Sequence, residues 1–182
     1  NNVYCQDNEI SWVNWDVSEQ DDDLLEFTRT MMWLRRDHPV LRRRRFFTGD
    51  AGHGGESELG EIEWLTPAGE SMTDQDWTTW YARAMMVFLN GEAIAEPDER
   101  GQRIVDDSFL VLINASDEDI TFTLPGEGYA PTWKVALDTA PAVDGDSDPI
   151  LAADDTVVVE ARSMLFLIDA PESAATTERH PR

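Results

Sequence analysis

Residues 108–124, SFLVLINASDEDITFTL, contain the pattern that decides the fold class. The apolar run Ser108 to Asn114 is followed by a polar segment and then by residues 120–124, in which apolar side chains alternate with threonine. Two such runs on either side of a turn are typical of neighbouring antiparallel β-strands. The stretch therefore predicts β-structure rather than helix.

Similar short patterns occur on both sides of this stretch. Further strands are predicted at residues 62–65, 85–89, 133–137, 157–159 and 164–168. Residues that favour turns separate the strands, above all at 125–128, 144–146 and 160–163. Short strands with turns between them, and without a long helical pattern, predict a mainly β domain, an antiparallel β-sandwich.

The N-terminal part of the chain has a different pattern. Three consecutive aspartates precede an apolar segment and Arg35 and Arg36 follow it, so the charges match the two ends of a helix dipole. Pro39 disfavours helical backbone at His38, and we therefore predict a helix over residues 21–38. Its apolar residues lie on more than one face, which indicates that the helix packs against a large neighbour.

The charge distribution divides the chain near its arginine run. Residues 1–45 hold seven basic and nine acidic side chains, which leaves seven basic and 28 acidic side chains for the remainder. We predict an N-terminal body over residues 1–45, a β-sandwich over residues 46–169 and a flexible tail over residues 170–182.

Composition excludes several classes of function. The 182 residues include 14 Lys and Arg against 37 Asp and Glu, a net charge of −23. Such acidity argues against a nucleic-acid partner and against an anionic membrane surface, and no apolar run approaches the length of a membrane span. The single cysteine, Cys5, and three scattered histidines suggest no metal site, and we expect no cofactor.

Polar side chains crowd the first nine positions of the chain. They include the amides of Asn1, Asn2 and Gln6, the phenol of Tyr4 and the carboxylate of Asp7. Sugar hydroxyls both donate and accept hydrogen bonds, so a cluster of this kind suits a carbohydrate surface. An ordinary capped surface loop is the alternative interpretation, because polar loops are common.

Other polar clusters favour structural interpretations. Asp106 and Asp107 precede a predicted strand, where we expect a solvated edge, and no pair among the 37 acidic residues stands out as a catalytic pair. The run Arg42 to Arg45 is expected to pair with local carboxylates or to pack on Phe46 and Phe47.

Four tryptophans allow two interpretations. Trp64, Trp77, Trp80 and Trp133 either complete a hydrophobic core or form a platform on which sugar rings stack. The core interpretation is the more common one for tryptophans of strands and adjoining loops.

The opening residues carry a resemblance to a known family. NNVYCQDNEISW at 1–12, followed by Asn14 and Trp15, resembles bacterial glycogen debranching enzymes of the isoamylase type, in the α-amylase superfamily. Further similar segments follow in the same order, at 24–28, 34–36, 38–39, 42–47, 72–74, 88–91, 106–109 and 161–163.

The resemblance implies where the chain belongs in such an enzyme. Members of this family hydrolyse α-1,6-glucosidic branch points with a (β/α)8 barrel that is followed by a C-terminal β-sandwich. Residues 1–15 then resemble the loop after the eighth barrel strand, and residues 21–38 resemble the last barrel helix. The family's catalytic carboxylates would lie upstream of Asn1, so we expect no catalytic residue here and no activity of this chain alone.

The resemblance also implies partners. Asn1, Asn2, Tyr4, Gln6 and Asp7 are expected to line the cleft for a branched α-glucan, glycogen or limit dextrin, once the missing catalytic barrel is present. The start at Asn1 suggests a piece of a longer protein, which we expect in the cytoplasm. Two alternatives stay open: a free-standing β-sandwich that binds glucan without catalysis, and an interaction domain without sugar affinity.

Overall fold

The computed structural model describes residues 4–16, 18–47, 59–79, 82–140 and 149–170. The chain divides into two compact units, Asn1–Asp37 and His38–Arg182. The division falls before residues 38–45, which the charge distribution had grouped with the N-terminal body. These residues lie with the β unit because Asp106 holds them: the backbone N–H of Val40 donates to Asp106 Oδ2 at 2.9 Å.

The first unit contains helix α1, Glu19–Asp37, which confirms the predicted helix to within two residues. Ser18 and Asp21 form a reciprocal cap at its start. The Asp21 N–H donates to Ser18 Oγ at 3.3 Å, and the Ser18 N–H donates to Asp21 Oδ2 at 3.0 Å. Hydrogen bonds from the side chain and the backbone of Ser18 lower the pKa of the Asp21 carboxyl.

Helix α1 leaves large apolar side chains exposed within its unit. They are Leu24, Leu25, Met31, Met32 and Trp33. A cluster of five large exposed apolar side chains is typical of a surface that packs against another protein surface. No helix in the described ranges is long and apolar enough to cross a membrane.

The second unit is an antiparallel β-sandwich, as predicted. After a 3-10 helix at Pro39–Arg42, its strands are β1 Ile62–Leu65, β2 Ala84–Leu89, β3 Phe109–Asn114, β4 Ile120–Thr123, β5 Thr132–Asp138, β6 Ile150–Ala152, β7 Thr156–Val159 and β8 Ser163–Asp169. A one-turn helix α2, Asp74–Thr78, separates β1 from β2, and a 3-10 helix at Gly91–Ala93 follows β2.

Six strands form one sheet in the order β1-β2-β3-β8-β5-β6, and β4 pairs with β7 in a second sheet. All the pairings are antiparallel. Strand β6 was not predicted because a three-residue strand is too short to show alternation. The other strands agree with the sequence prediction to within one or two residues.

The core lies between the two sheets. Its largest fully buried side chains include Phe88, Leu110, Phe122, Trp133 and Leu167. Phe88 packs edge-to-face against Trp133, with 6.4 Å between ring centroids. Trp133 is therefore a core residue, in line with the structural interpretation of that tryptophan.

The opposite face of the six-stranded sheet is also apolar. Trp64, Val87, Val111 and Phe166 are successive cross-strand partners and so share this face. Val111 is buried, whereas Val87 and Phe166 are only partly buried. A sheet with two apolar faces is typical of one that is covered on both sides.

Candidate functional site

The predicted sugar-contacting residues lie on a compact surface turn at the start of the chain. Tyr4 and Cys5 have left-handed backbone angles, with φ of 50° and 60°. Two successive non-glycine residues rarely adopt this conformation, which turns the chain sharply and leaves Tyr4 81% exposed. The phenol is therefore presented to solvent.

Asn8 organises the turn that follows. The Ser11 N–H donates to the Asn8 carbonyl at 2.9 Å, and the Ile10 N–H donates to Asn8 Oδ1 at 3.0 Å. The Ser11 hydroxyl also donates to the Asn8 carbonyl, at 3.0 Å. These local bonds fix the backbone of a segment that has little buried apolar surface of its own.

The carboxylate of Asp7 is hydrogen-bonded to an aromatic side chain. The Trp12 indole N–H donates to Asp7 Oδ1 at 2.8 Å, and Trp12 is itself 65% exposed. An exposed carboxylate beside an exposed indole offers a hydrogen-bond acceptor and a flat apolar face together. Trp12 is not among the predicted site residues, because neither its spacing from Asp7 nor its type shows that the two side chains meet.

The structure brings Tyr4, Gln6 and Asp7 into one exposed segment. Asn1 and Asn2, the other two predicted residues, lie outside the described residues. The arrangement suits hydrogen bonding and ring contact with a polar ligand. It does not suit general acid catalysis, since the carboxylates of Asp7 and Glu9 are on the surface and not in a desolvated pocket.

In the β unit, Asp106 is buried and anchors the start of the unit. Its side chain is only 7% exposed, and its Oδ1 lies 2.9 Å from His38 Nδ1. The ring of His38 also packs edge-on against Phe109 at 4.9 Å. The predicted solvated edge is therefore wrong for Asp106, because the segment before Val40 folds over it, and correct for Asp107, which is 54% exposed.

His38, Asp106 and Asp107 bring three potential ligand atoms within 4.8 Å of one another. No sequence motif predicts this group, because 68 residues separate His38 from Asp106. The oxygens of Asp106 already serve His38, the Val40 N–H and the Asp107 N–H, the last at 2.9 Å. These hydrogen bonds give the group a structural role that requires no ion.

Gly91 packs directly against this anchor. Its carbonyl accepts a hydrogen bond from the Asp106 N–H at 3.1 Å, and its own N–H donates to Ser108 Oγ at 3.1 Å. A β-carbon added at Gly91 would lie 2.1 Å from the Asp106 carbonyl oxygen. The absence of a side chain thus permits the close approach of the two backbone segments.

A polar cleft of about 730 Å³ opens beside the anchor. Its lining includes Asn90, Glu92, Asp107, Ser108, Tyr129 and Asp169. Burial raises the pKa of Asp169 to about 6, and the nearby carboxylates of Asp107, Asp106 and Glu92 add to the rise while the Ser108 backbone N–H opposes it. Asp169 Oδ1 is buried and has no hydrogen-bond partner among the described residues.

Arg43 connects the arginine run to the sheet. Its guanidinium lies 3.6 Å from Glu61, and both side chains are buried. It donates to the Asn90 carbonyl at 3.0 Å and lies over the ring of Phe47 at 4.9 Å. The structural interpretation of the run is therefore confirmed for Arg43.

The four tryptophans of the sequence analysis do not form one platform. Trp133 is in the core, and Trp80 lies outside the described residues. Trp64 and Trp77 pair on the surface, with ring centroids 5.3 Å apart and ring planes inclined by 75°. They are 39% and 50% exposed.

Comparisons with known proteins identify relatives of both units. Residues 61–170 match the family described as isoamylase, C-terminal. A glycogen operon protein GlgX homolog from Mycobacterium tuberculosis is 51% identical over 167 residues, which cover 92% of this chain and 23% of that protein. A glycogen debranching enzyme from Dickeya chrysanthemi is 32% identical over 136 residues, which cover 75% of this chain and 16% of the enzyme. The chain spans less than a quarter of the length of these curated relatives.

A solved structure shares the fold. The pullulanase type I of Bacillus subtilis, solved in complex with maltose, superimposes with a TM-score of 0.50 at 18% sequence identity. The match covers 87% of this chain and 17% of the pullulanase chain. At this identity the likeness bears on the fold alone, and it agrees with the β-sandwich described above.

Proposed function

The chain belongs to the isoamylase C-terminal family, and from this premise we propose that it is the C-terminal part of a glycogen debranching enzyme. That enzyme hydrolyses α-1,6-glucosidic branch linkages in glycogen or limit dextrin. This chain contributes support for the catalytic domain and one rim of the substrate cleft. The proposed location of the enzyme is the cytoplasm.

The observation that carries the proposal is the extent of the similarity to the mycobacterial relative. The family match begins at residue 61, whereas the alignment with that relative spans 167 residues and therefore includes much of the N-terminal unit. Helix α1 and the sandwich are thus retained together. A free-standing sandwich module gives no reason to retain an N-terminal helix whose apolar side chains are exposed.

Exposed apolar surface supports the same role. Helix α1 exposes leucine, methionine and tryptophan side chains, and the second face of the main sheet is apolar and partly buried. Burial of such surface contributes about 25 cal/mol for each Å². A catalytic barrel that covers α1 and the part of this sheet face on β2, β3 and β8 would be stabilised by them, while the edge strand β1 stays uncovered. The proposed partner of this chain is therefore the barrel of the same enzyme.

The proposed cleft rim consists of Tyr4, Gln6 and Asp7, together with Asn1 and Asn2. The phenol, amide and carboxylate bind glucose hydroxyls, and the Trp12 indole that is bonded to Asp7 adds a flat apolar face. We assign no catalytic carboxylate to this chain. Retaining hydrolysis requires two carboxyl groups about 5 Å apart on either side of the glycosidic bond, and we place them in the barrel.

The test begins with the gene. Continuing the reading frame upstream of the Asn1 codon and expressing the whole protein should yield an enzyme that releases linear chains from glycogen limit dextrin, while the 182-residue chain alone should release none. Turnover by the purified 182-residue chain, or a stop codon directly before Asn1, would contradict the proposal.

The cleft rim has its own test in the whole enzyme. Asp7→Ala should raise KM for limit dextrin about tenfold, since it removes a hydrogen bond to the ligand and the support of the Trp12 ring. Asp16→Ala is the matched control, because Asp16 is also an exposed aspartate of this segment. Equal effects of the two substitutions would exclude the assigned role of Asp7.

A further inference from the structure

The pair Trp64 and Trp77 is held in place by local backbone structure. Trp64 lies on β1, the edge strand of the main sheet, and Trp77 lies on α2. The Met72 N–H donates to the Trp64 carbonyl at 2.9 Å, which brings the segment before α2 back alongside the strand. Thr73 and Asp76 then form a reciprocal cap that fixes the orientation of α2.

Trp64 and Trp77 are not buried by the packing of their own unit. The core tryptophan, Trp133, is completely buried, whereas Trp64 and Trp77 keep 39% and 50% of their surface in water. Each is fixed by the other ring at 5.3 Å. Large, rigid aromatic faces that remain wet at a sheet edge are typical of surfaces that bind ligands.

We propose that Trp64 and Trp77 form a second glucan-binding site, separate from the cleft rim, for a linear α-1,4-linked chain of glycogen. The inference rests on the proposed function, because that function supplies the polymer. The apolar C–H face of a glucose ring stacks on an indole, while the hydroxyls at the ring edge remain available for hydrogen bonds.

The inclination of the rings favours an α-glucan over a flat polymer. Successive glucose units of an α-1,4 chain turn relative to one another, so two neighbouring units meet two rings that are not coplanar. The 75° between the indole planes suits this curvature. A β-1,4 chain is a flat ribbon, which requires coplanar rings.

Charge and polar neighbours support a neutral sugar. The chain carries a net charge of −23, which disfavours an anionic polymer, whereas glycogen is uncharged. The exposed side chains of Asp74 and Gln75 lie on α2 with Trp77. They provide acceptors and a donor for the hydroxyls of a stacked glucose unit.

The test measures binding of the 182-residue chain to glycogen by affinity electrophoresis and to maltoheptaose by titration calorimetry. Trp64→Ala and Trp77→Ala should each weaken binding about tenfold, whereas Trp64→Phe should retain most of it because a flat ring remains. Trp33→Ala is the matched control, since Trp33 is an exposed tryptophan of α1. Cellohexaose should not compete with maltoheptaose.

Several outcomes would overturn the site. They are no binding of the wild-type chain to glycogen, unchanged binding by Trp64→Ala and Trp77→Ala, or an equal loss in Trp33→Ala. Thermal unfolding of each variant identifies any that fails to fold, and the other one of Trp64→Ala and Trp77→Ala then decides the test.

The failure of this site can be distinguished from failure of the proposed function. In the whole enzyme, Trp64→Ala should raise KM for glycogen and leave KM for a short branched dextrin unchanged, because one glycogen molecule presents many chains and can bind both sites through different chains, whereas a short dextrin cannot. Debranching activity without this difference would reject the second site alone. Glycogen binding that depends on the tryptophans, in a whole protein without debranching activity, would reject the proposed function alone.

Discussion

Replacement of Asp169 by asparagine should stabilise the protein at neutral pH and not at acidic pH. Asp169 ends strand β8 beside the polar cleft, where burial and the carboxylates of Asp107, Asp106 and Glu92 raise its pKa from 3.8 to about 6. Between these two pH values the folded state retains a proton that the unfolded state has lost. The free energy of unfolding therefore falls as the pH rises through this window, and the full penalty is present above pH 6.

The size of the effect follows from the difference between the two pKa values. A rise from 3.8 to about 6 corresponds to at most about 3 kcal/mol. The carboxyl is partly exposed, and screening by solvent reduces this to about 1–2 kcal/mol. Asparagine has the same shape and no charge, so Asp169→Asn should recover that amount where the wild-type carboxyl is ionised.

Urea unfolding of the wild type and of Asp169→Asn at pH 7.5 and pH 4 measures the effect. The variant should be more stable by about 1–2 kcal/mol at pH 7.5 and equal to the wild type at pH 4. Glu127→Gln, an exposed acidic residue of the same unit, should change neither value. A loss of stability in Asp169→Asn at pH 7.5, or the same gain at both pH values, would refute the electrostatic reasoning.

Three further substitutions test the packing of the sandwich at neutral pH by urea unfolding. Asp106→Ala should lower the free energy of unfolding by about 2–4 kcal/mol, because the buried Val40 N–H loses its acceptor at 2.9 Å. A decrease of less than about 1 kcal/mol would contradict this. Gly91→Ala should cost about 3 kcal/mol, since the new β-carbon would lie 2.1 Å from a backbone oxygen, whereas Gly128→Ala meets nothing within 4 Å and should be nearly neutral. Asn114→Asp should cost about 3 kcal/mol or more, because a carboxylate would replace the amide that donates to three backbone carbonyls; Asn114→Asp with wild-type stability would show that these bonds are dispensable.

The strands of the sandwich could be predicted because their pattern is local. The alternation of apolar and polar residues over 120–124 predicts which side chains enter the core. Strand β4, Ile120–Thr123, lies within this predicted range. Residues 150–152 form a strand only because β5 is there to pair with them. Three residues carry no periodicity, so that strand depends on tertiary context.

The site was less predictable, because its contacts connect distant parts of the sequence. Asp106 and Asp107 are neighbours of the same type, but one is buried against His38 and the other is mostly in solvent. The difference arises from the position of residues 38–40, which no local pattern specifies. The hydrogen bond between Trp12 and Asp7 is closer in sequence, but it depends on the turn at Asn8, whose carbonyl accepts from the Ser11 and Trp12 N–H groups. The polar residues of this segment do not by themselves predict that turn.

The negative charge of the chain limits which kind of partner can bind its exposed apolar surfaces. A net charge of −23 opposes close association between two copies, because two surfaces of the same sign repel each other. The apolar face of α1 and the second face of the main sheet are therefore poor candidates for a dimer interface, although each would gain from burial. A domain in the same polypeptide is held close to these surfaces, so its effective concentration is high. Charge repulsion then prevents its binding less than it prevents the association of two separate chains. The combination of strong acidity with exposed apolar surface thus favours a partner in the same polypeptide over self-association, as the proposed debranching enzyme requires.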